Sequence, residues 1–232
     1  MIQLSYSTLN MVHEASHNWL NKMMGRKPED KWYYHEGKEA HKIIQQHLSG
    51  KKPNLFLSQV KDLQEFMFEV VERQDFDPRC KFNVTLESLM KTYYNETSPN
   101  GELYKPRGEY NLIGFVDGRD TGWTRGLEIK TSSQVWSITK FKEAMQRKVY
   151  VLAVPTLKEM ILVASKRKQE EWEREKPKVF TVPSTNEDRA EAFDWILGGI
   201  KIIESGNYSG GLDENGVCNL PFCYYGVNCM FK

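Results

Sequence analysis

The chain has 232 residues, and 32 Lys+Arg against 31 Asp+Glu leave a formal net charge of +1. So even a balance excludes a basic coat that gathers nucleic acid over the whole surface, though not a local basic groove. Hydrophobic residues make up 40% and aromatic residues 12%, enough for a packed core and too much for a disordered chain.

No apolar run approaches the roughly 18 residues that a membrane-spanning helix needs. The opening MIQLSYSTLNMVHEA lacks the charged and apolar regions of a secretion signal. These features predict a soluble, cytoplasmic protein with no membrane partner.

In chain order, apolar spacing predicts a helix over 7–24 with Ser7 as its N-cap, then helices over 34–48 and 58–73. The texture then changes to strands at 81–89, 111–117 and 126–130. The turn-rich stretch 118–125 between the last two predicts a hairpin. A helix over 137–153, strands at 160–164 and 179–182, and a helix over 186–204 follow, and Gly206 opens a loop-like tail. Helices, strands, helix, strands, helix predict an α/β or α+β fold with a mixed central sheet flanked by helices. One domain is expected over 1–232: a mainly helical part at 1–75, a core at 80–205 and a cysteine-containing tail at 206–232.

The chemistry concentrates in Gly114-Phe-Val-Asp117 and Gly126-Leu-Glu128-Ile-Lys130-Thr. Strand side chains alternate faces, so Glu128 and Lys130 project to one side while Ile129 faces the core. A hairpin brings Asp117 beside Glu128. Two carboxylates and an amine at one end of apolar strands suit phosphodiester hydrolysis. The carboxylates hold divalent cations that polarise the phosphate and activate water, and the lysine orients that water or offsets developing charge. Asp117 and Glu128 also stand twelve residues apart with Gly122 at the sixth place, as in a calcium loop. However, Arg119 and Thr121 are poor ligands there, and the flanks read as strands.

Two helical pairs add to this set. Gly37 and His41 lie one turn apart on one helix, as do Gln146 and Tyr150 on another. Taken in order, G-x3-H, G-x-x-D, E-x-K-T and Q-x3-Y resemble the PD-(D/E)XK nuclease superfamily, in particular its RecB-like and Cas4-like exonucleases. Leu4-Ser-Tyr-Ser-Thr-Leu9 is similar to the serine-bearing opening of those proteins. The resemblance implies a magnesium- or manganese-dependent DNA exonuclease acting on ends or single strands in repair or recombination. His41, Asp117, Glu128 and the backbone carbonyl of Ile129 would be metal ligands, with Asp117, Glu128 and Lys130 catalytic. Gln146 and Tyr150 would place the DNA backbone, and Ser7 would contact phosphate. A homo-oligomer stays open.

Many members of this branch hold a [4Fe-4S] cluster on one N-terminal and three C-terminal cysteines. Here Cys218, Cys223 and Cys229 supply the three, but Cys218-x4-Cys223 is wider than usual. Ser16 or His17 stands where the fourth would be. Three cysteines are one short of a closed tetrahedral site, so an iron–sulfur cluster is not the expectation, although one with a non-cysteine ligand stays open. Lys140, Lys142, Arg147 and Lys148 would suit a phosphate-tracking groove or a solvated helix face. Trp32, Tyr33, Tyr34, Tyr93 and Tyr94 read as core or rim ahead of base-stacking platforms. Two rival functions stand beside the exonuclease: a non-cutting DNA-binding or assembly module on the same fold, and a restriction-type endonuclease.

Overall fold

The computed structural model of the chain describes residues 1–30, 76–93, 104–166, 178–218 and 225–231, with Lys38, His41, Lys42, Gln46, Ser49, Leu220 and Cys223. The helix expected over 58–73 lies outside these residues, as do Trp32, Tyr33, Tyr34 and Tyr94. Of the helix expected over 34–48, Lys38, His41, Lys42 and Gln46 are described and helical.

The fold is mixed α/β, with a six-stranded mixed sheet flanked by helices among the described residues. Strand order is β1 (Ile2–Leu4), β3 (Tyr110–Arg119), β4 (Arg125–Ser132), β5 (Glu159–Lys166) and β6 (Lys178–Pro183), with β2 (Asp77–Thr85) also on β3. By contacts the chain divides into two compact units. One gathers Met1–Asp30, Asn83–Ile113 and Ala190–Lys232, and the other Lys31–Phe82 and Gly114–Arg189.

In the first unit, β1 (Ile2–Leu4) runs parallel to the start of β3, with Ile2 opposite Tyr110 and Leu4 opposite Leu112. Three residues are too few for alternation to be seen in a sequence. The helix expected over 7–24 is two helices, α1 (Tyr6–Glu14) and α2 (His17–Met23). Ser5, not Ser7, caps α1: its Oγ accepts from the Thr8 N–H at 3.2 Å, satisfying one of the orphan donors of the first turn. The break falls at Ala15, which is extended. A tertiary contact accounts for it. Gly211 (φ +84°) passes so close that a Cβ on it would stand 2.7 Å from the Ala15 Cβ, and the Ser16 hydroxyl accepts from the Gly210 N–H at 2.9 Å. A continuous helix would bury those groups against the tail.

β2 (Asp77–Thr85) gives way to α3 (Leu86–Tyr93) where 81–89 was expected to be strand throughout. Thr85 is the switch, its Oγ1 accepting from Ser88 N–H at 3.1 Å. Tyr93 is buried against Phe193, so it is core. The last helix, α6 (Asn186–Ser205), follows its expectation.

The second unit holds the predicted hairpin. β3 (Tyr110–Arg119) and β4 (Arg125–Ser132) are antiparallel, with Gly118 opposite Leu127. Asp120 closes the turn by accepting from the N–H groups of Thr124 at 2.7 Å and Arg125 at 3.0 Å. β4 then runs parallel to β5 (Glu159–Lys166), which is antiparallel to β6 (Lys178–Pro183). A parallel pair needs a crossover, supplied here by α4 (Ile138–Glu143) and α5 (Met145–Ala153). Six consecutive residues of β5 are buried, the run expected of a strand covered on both faces.

The helix expected over 137–153 is thus broken at Ala144, which is extended. Arg147 explains the break. Its guanidinium donates to the carbonyls of Phe141 and Lys142, the latter at 2.7 Å, satisfying acceptors that the end of α4 leaves orphaned. It also makes a two-point pair with Asp188, one bond at 2.9 Å. Arg147 is only 2% exposed. Placing it in a phosphate-tracking cluster is therefore corrected: it is a buried structural cation.

Candidate functional site

The candidate nuclease residues described in the second unit come together around the hairpin. Asp117 and Glu128 are the next residues beyond the last hairpin pair, Gly118 and Leu127, and the Ile129 N–H donates to Asp117 Oδ2 at 2.9 Å. Ile129 is buried, as expected, and so is Glu128. His41 Nδ1 lies 3.1 Å from Asp117 Oδ1. Lys130 Nζ lies 2.5 Å from Glu128 Oε1 and donates to Gln146 Oε1 at 2.7 Å. Gln146 in turn donates to the Tyr150 hydroxyl at 2.7 Å. The crossover geometry produces this chain, because α5 packs back on the sheet beside the strand that carries Lys130.

Gly114 has a role here that only packing reveals. A Cβ on it would lie 2.3 Å from Phe82 Cζ, so only glycine admits the Phe82 ring. That ring meets Tyr150 edge-on at 5.6 Å. The glycine of G-x-x-D therefore seats an aromatic that seats Tyr150, and through Gln146 the lysine. Trp136, in the loop after β4, is an unforeseen neighbour. Its ring centroid lies 5.5 Å from Lys130 Nζ and 4.7 Å from Lys140 Nζ, within cation–π range.

The electrostatics of the set follow from burial and from charges held close together. Burial is the main cause that raises the Glu128 carboxyl above its ordinary pKa, and the Asp117 charge adds to it; Lys130 and His41 oppose without cancelling. Burial works against a charge on His41, yet the bond to Asp117 and the charges of Asp117 and Glu128 outweigh it and raise its pKa. Two carboxylates and a backbone carbonyl are the hard oxygen donors that Mg²⁺ and Mn²⁺ take, and the imidazole is a softer, borderline donor beside them. By donor chemistry the set fits such an ion. Ser7, the other residue matched to DNA contact, lies in the first unit, its hydroxyl 3.0 Å from that of Ser5.

The first unit holds a different cluster. His17, Cys218, Cys223 and Cys229 are all buried, and their ligand atoms lie within 4.8 Å of one another. This His/Cys3 group could hold a metal. Among the described residues it is where His, Cys, Asp or Glu ligand atoms converge in that way, and His41, Asp117 and Glu128 are not drawn as tightly. The three tail cysteines thus meet, where the sequence left a cluster open without expecting one, and the fourth partner is His17 rather than Ser16. Ser16 instead bonds Gly210. Burial, together with the neighbouring thiols of Cys223 and Cys229, pushes the Cys218 thiol up to about 11.

No protein-family model matches the sequence, and no curated protein matches it. Among solved structures, the chain is similar to a protein named SSO0001, with 20% identity over 63% of this chain and a TM-score of 0.34. It spans 66% of that protein, just under two thirds. It is also similar to a protein from Eubacterium rectale described as a candidate exonuclease, with 12% identity over 81% of this chain and 73% of the other, and a TM-score of 0.40. Likenesses this loose leave the site to be read from its own geometry. Among the described residues, no helix is long and apolar enough to cross a membrane.

Proposed function

We propose that this protein is a metal-dependent deoxyribonuclease that hydrolyses phosphodiester bonds, working as an exonuclease on DNA ends or single strands. The observation that carries the reading is Lys130, held between the Glu128 carboxylate and the Gln146 amide beside the Asp117–His41 pair. Mg²⁺ or Mn²⁺, when bound by His41, Asp117, Glu128 and the Ile129 carbonyl, supplies polarisation of the phosphate and a lowered pKa of the attacking water.

The chain's own residues do the rest. Asp117 is oriented by the Ile129 N–H, so one oxygen is fixed and the carboxylate presents a defined edge. Lys130 is held by two acceptors, and its role in this reading is to meet the negative charge that develops on the phosphate oxygens. Gln146 and Tyr150 hold that lysine and offer amide and hydroxyl groups to the DNA backbone. Lys140 and Trp136 add a charged and a stacking surface near Lys130. The exonuclease character follows the resemblance of the ordered motifs.

The test is cleavage of end-labelled linear DNA, single- and double-stranded, with Mg²⁺, Mn²⁺ or EDTA, alongside Lys130→Ala. The expected outcome is metal-dependent shortening from one end, at least about a hundredfold slower in the variant, with closed circular DNA left intact. Cutting of circular DNA would replace exonuclease with endonuclease. DNA binding with no cleavage would replace the enzyme with a non-cutting module.

A further inference from the structure

We propose that His17, Cys218, Cys223 and Cys229 form a structural site for a single tetrahedral zinc ion that fastens the C-terminal tail to α2. The argument begins with spacing. Four ligands sharing one zinc, with Zn–S near 2.3 Å and Zn–N near 2.0–2.1 Å, stand about 3.5–3.8 Å from one another. The four atoms here lie within 4.8 Å, so a small contraction completes the shell. The ligands of a four-iron cluster each bind a different iron and radiate from a larger body. They must therefore stand well apart, and these four do not.

The surroundings are equally specific. The His17 Nδ1 faces the Gly210 carbonyl at 2.9 Å. A ring donating from Nδ1 turns the lone pair of Nε2 toward the thiols, and Cys223 Sγ is 4.0 Å from it. A backbone carbonyl on the far nitrogen is the usual device for orienting a metal-bound histidine. Asn21 donates from Nδ2 to Cys229 Sγ at 3.3 Å, the kind of bond that steadies a thiolate. The Asn21 carbonyl oxygen accepts from Met230 N–H at 2.9 Å, tying the segment after Cys229 to the same residue. Cys223 Sγ also lies 3.7 Å from Asn18 Oδ1, a contact that gives up its proton when the thiol is metallated.

Binding is a proton exchange. Zn²⁺ enters, the three thiols release their protons to solvent, and neutral His17 lends its Nε2 lone pair. Nothing is oxidised or reduced, and the site keeps one net negative charge. Three thiolates and one imidazole fill all four positions, which marks a closed structural site rather than a catalytic one. Met11, Tyr225, Leu212, Leu220 and Phe231 pack around it and keep water away.

The experiment uses the full chain, expressed with both iron and zinc supplied and purified without oxygen. Metal content, acid-labile sulfide and visible absorption are read together. We expect about one zinc per chain, no sulfide, a colourless protein, and tetrahedral thiolate bands when Co²⁺ replaces zinc. His17→Ala should cut zinc occupancy at least tenfold, and His17→Cys should restore it. Asn21→Ala, which removes no ligand, should weaken zinc binding by about tenfold in a competition with a chromogenic chelator. A brown protein with several irons and sulfide per chain overturns the proposal, as does a metal-free protein or His17→Ala that keeps full zinc. Lys130→Ala should bind zinc like the parent, so this proposal and the nuclease reading fail separately.

Discussion

His41 and His17 are each turned by one hydrogen bond, but they keep opposite company. The His41 side chain is 30% exposed beside the carboxylates of Asp117 and Glu128, with Lys130 within reach of Glu128. His17 is fully buried among three thiols. The first arrangement offers oxygen donors and a partly exposed imidazole, the set that the proposed nuclease reading would use to bring a cation to a phosphate. The second offers soft, buried donors, which suit the proposed structural ion. In these two proposals, donor type and exposure, more than the presence of histidine, distinguish the roles.

That contrast can be broken by experiment, starting where the effect is largest. Asp117→Asn keeps the shape that receives the Ile129 N–H but loses the charge. We expect cleavage to fall by about a thousandfold, with the urea unfolding midpoint nearly unchanged. If activity survives, the hairpin carboxylates are not the reactive site.

Arg147→Ala should do the reverse of a clean active-site change. It strands Asp188 and frees the carbonyls of Phe141 and Lys142, and removing one partner of a buried pair costs about 4 kcal/mol. Urea unfolding reads that loss. A variant as stable as the parent would show that the pair is dispensable and that the break at Ala144 has another cause.

The first unit should instead respond to acid through Glu204. Burial alone would raise its carboxyl. However, the hydroxyls of Tyr104 and Tyr110 and the N–H groups of Arg107 and Gly108 hold it down to about 2. A depressed folded pKa stabilises above the ordinary value and is lost as pH falls through the folded one. The contribution, about 3 kcal/mol, should fade between about pH 4.5 and pH 2. Glu204→Gln should flatten that part of the stability profile and leave cleavage at neutral pH alone.

Gly114→Ala sharpens the comparison most finely. Its methyl group collides with Phe82, an overpacking cost of about 2 kcal/mol. Because Phe82 supports Tyr150, cleavage should fall further than stability explains. A loss of stability with unchanged cleavage would cut the link from Gly114 to Lys130.

Much of the second unit was legible because its signals are local. Alternation in 126–130 and the turn chemistry of 118–125 yield the hairpin, and the hairpin yields the Asp117–Glu128 pairing. The order of motifs also singled out Gln146, which does meet Lys130, and Tyr150, which meets Gln146. The features that were not legible depend on partners remote in sequence. Ala15 opens because of Gly211, Ala144 because Arg147 reaches Asp188, and β1 because Tyr110–Leu112 receives it. Thr85 is a different case: Thr85-Leu-Glu-Ser88 carries a helix-start signal that the apolar alternation before it conceals. His17 needed the fold, since nothing in residues 16 and 17 alone says which one turns toward the cysteines.

The interleaving of the two units has a consequence for synthesis. Every residue assigned to the second unit has been made once Arg189 is joined, while the first unit still lacks Ala190–Lys232. Domains form as their segments emerge from the ribosome, so the reactive hairpin is complete before Cys218, Cys223 and Cys229 exist to meet His17. The thiol cluster can close only after the hairpin, and a polypeptide stopped before Cys218 carries Asp117, Glu128 and Lys130 without the cysteines that would meet His17.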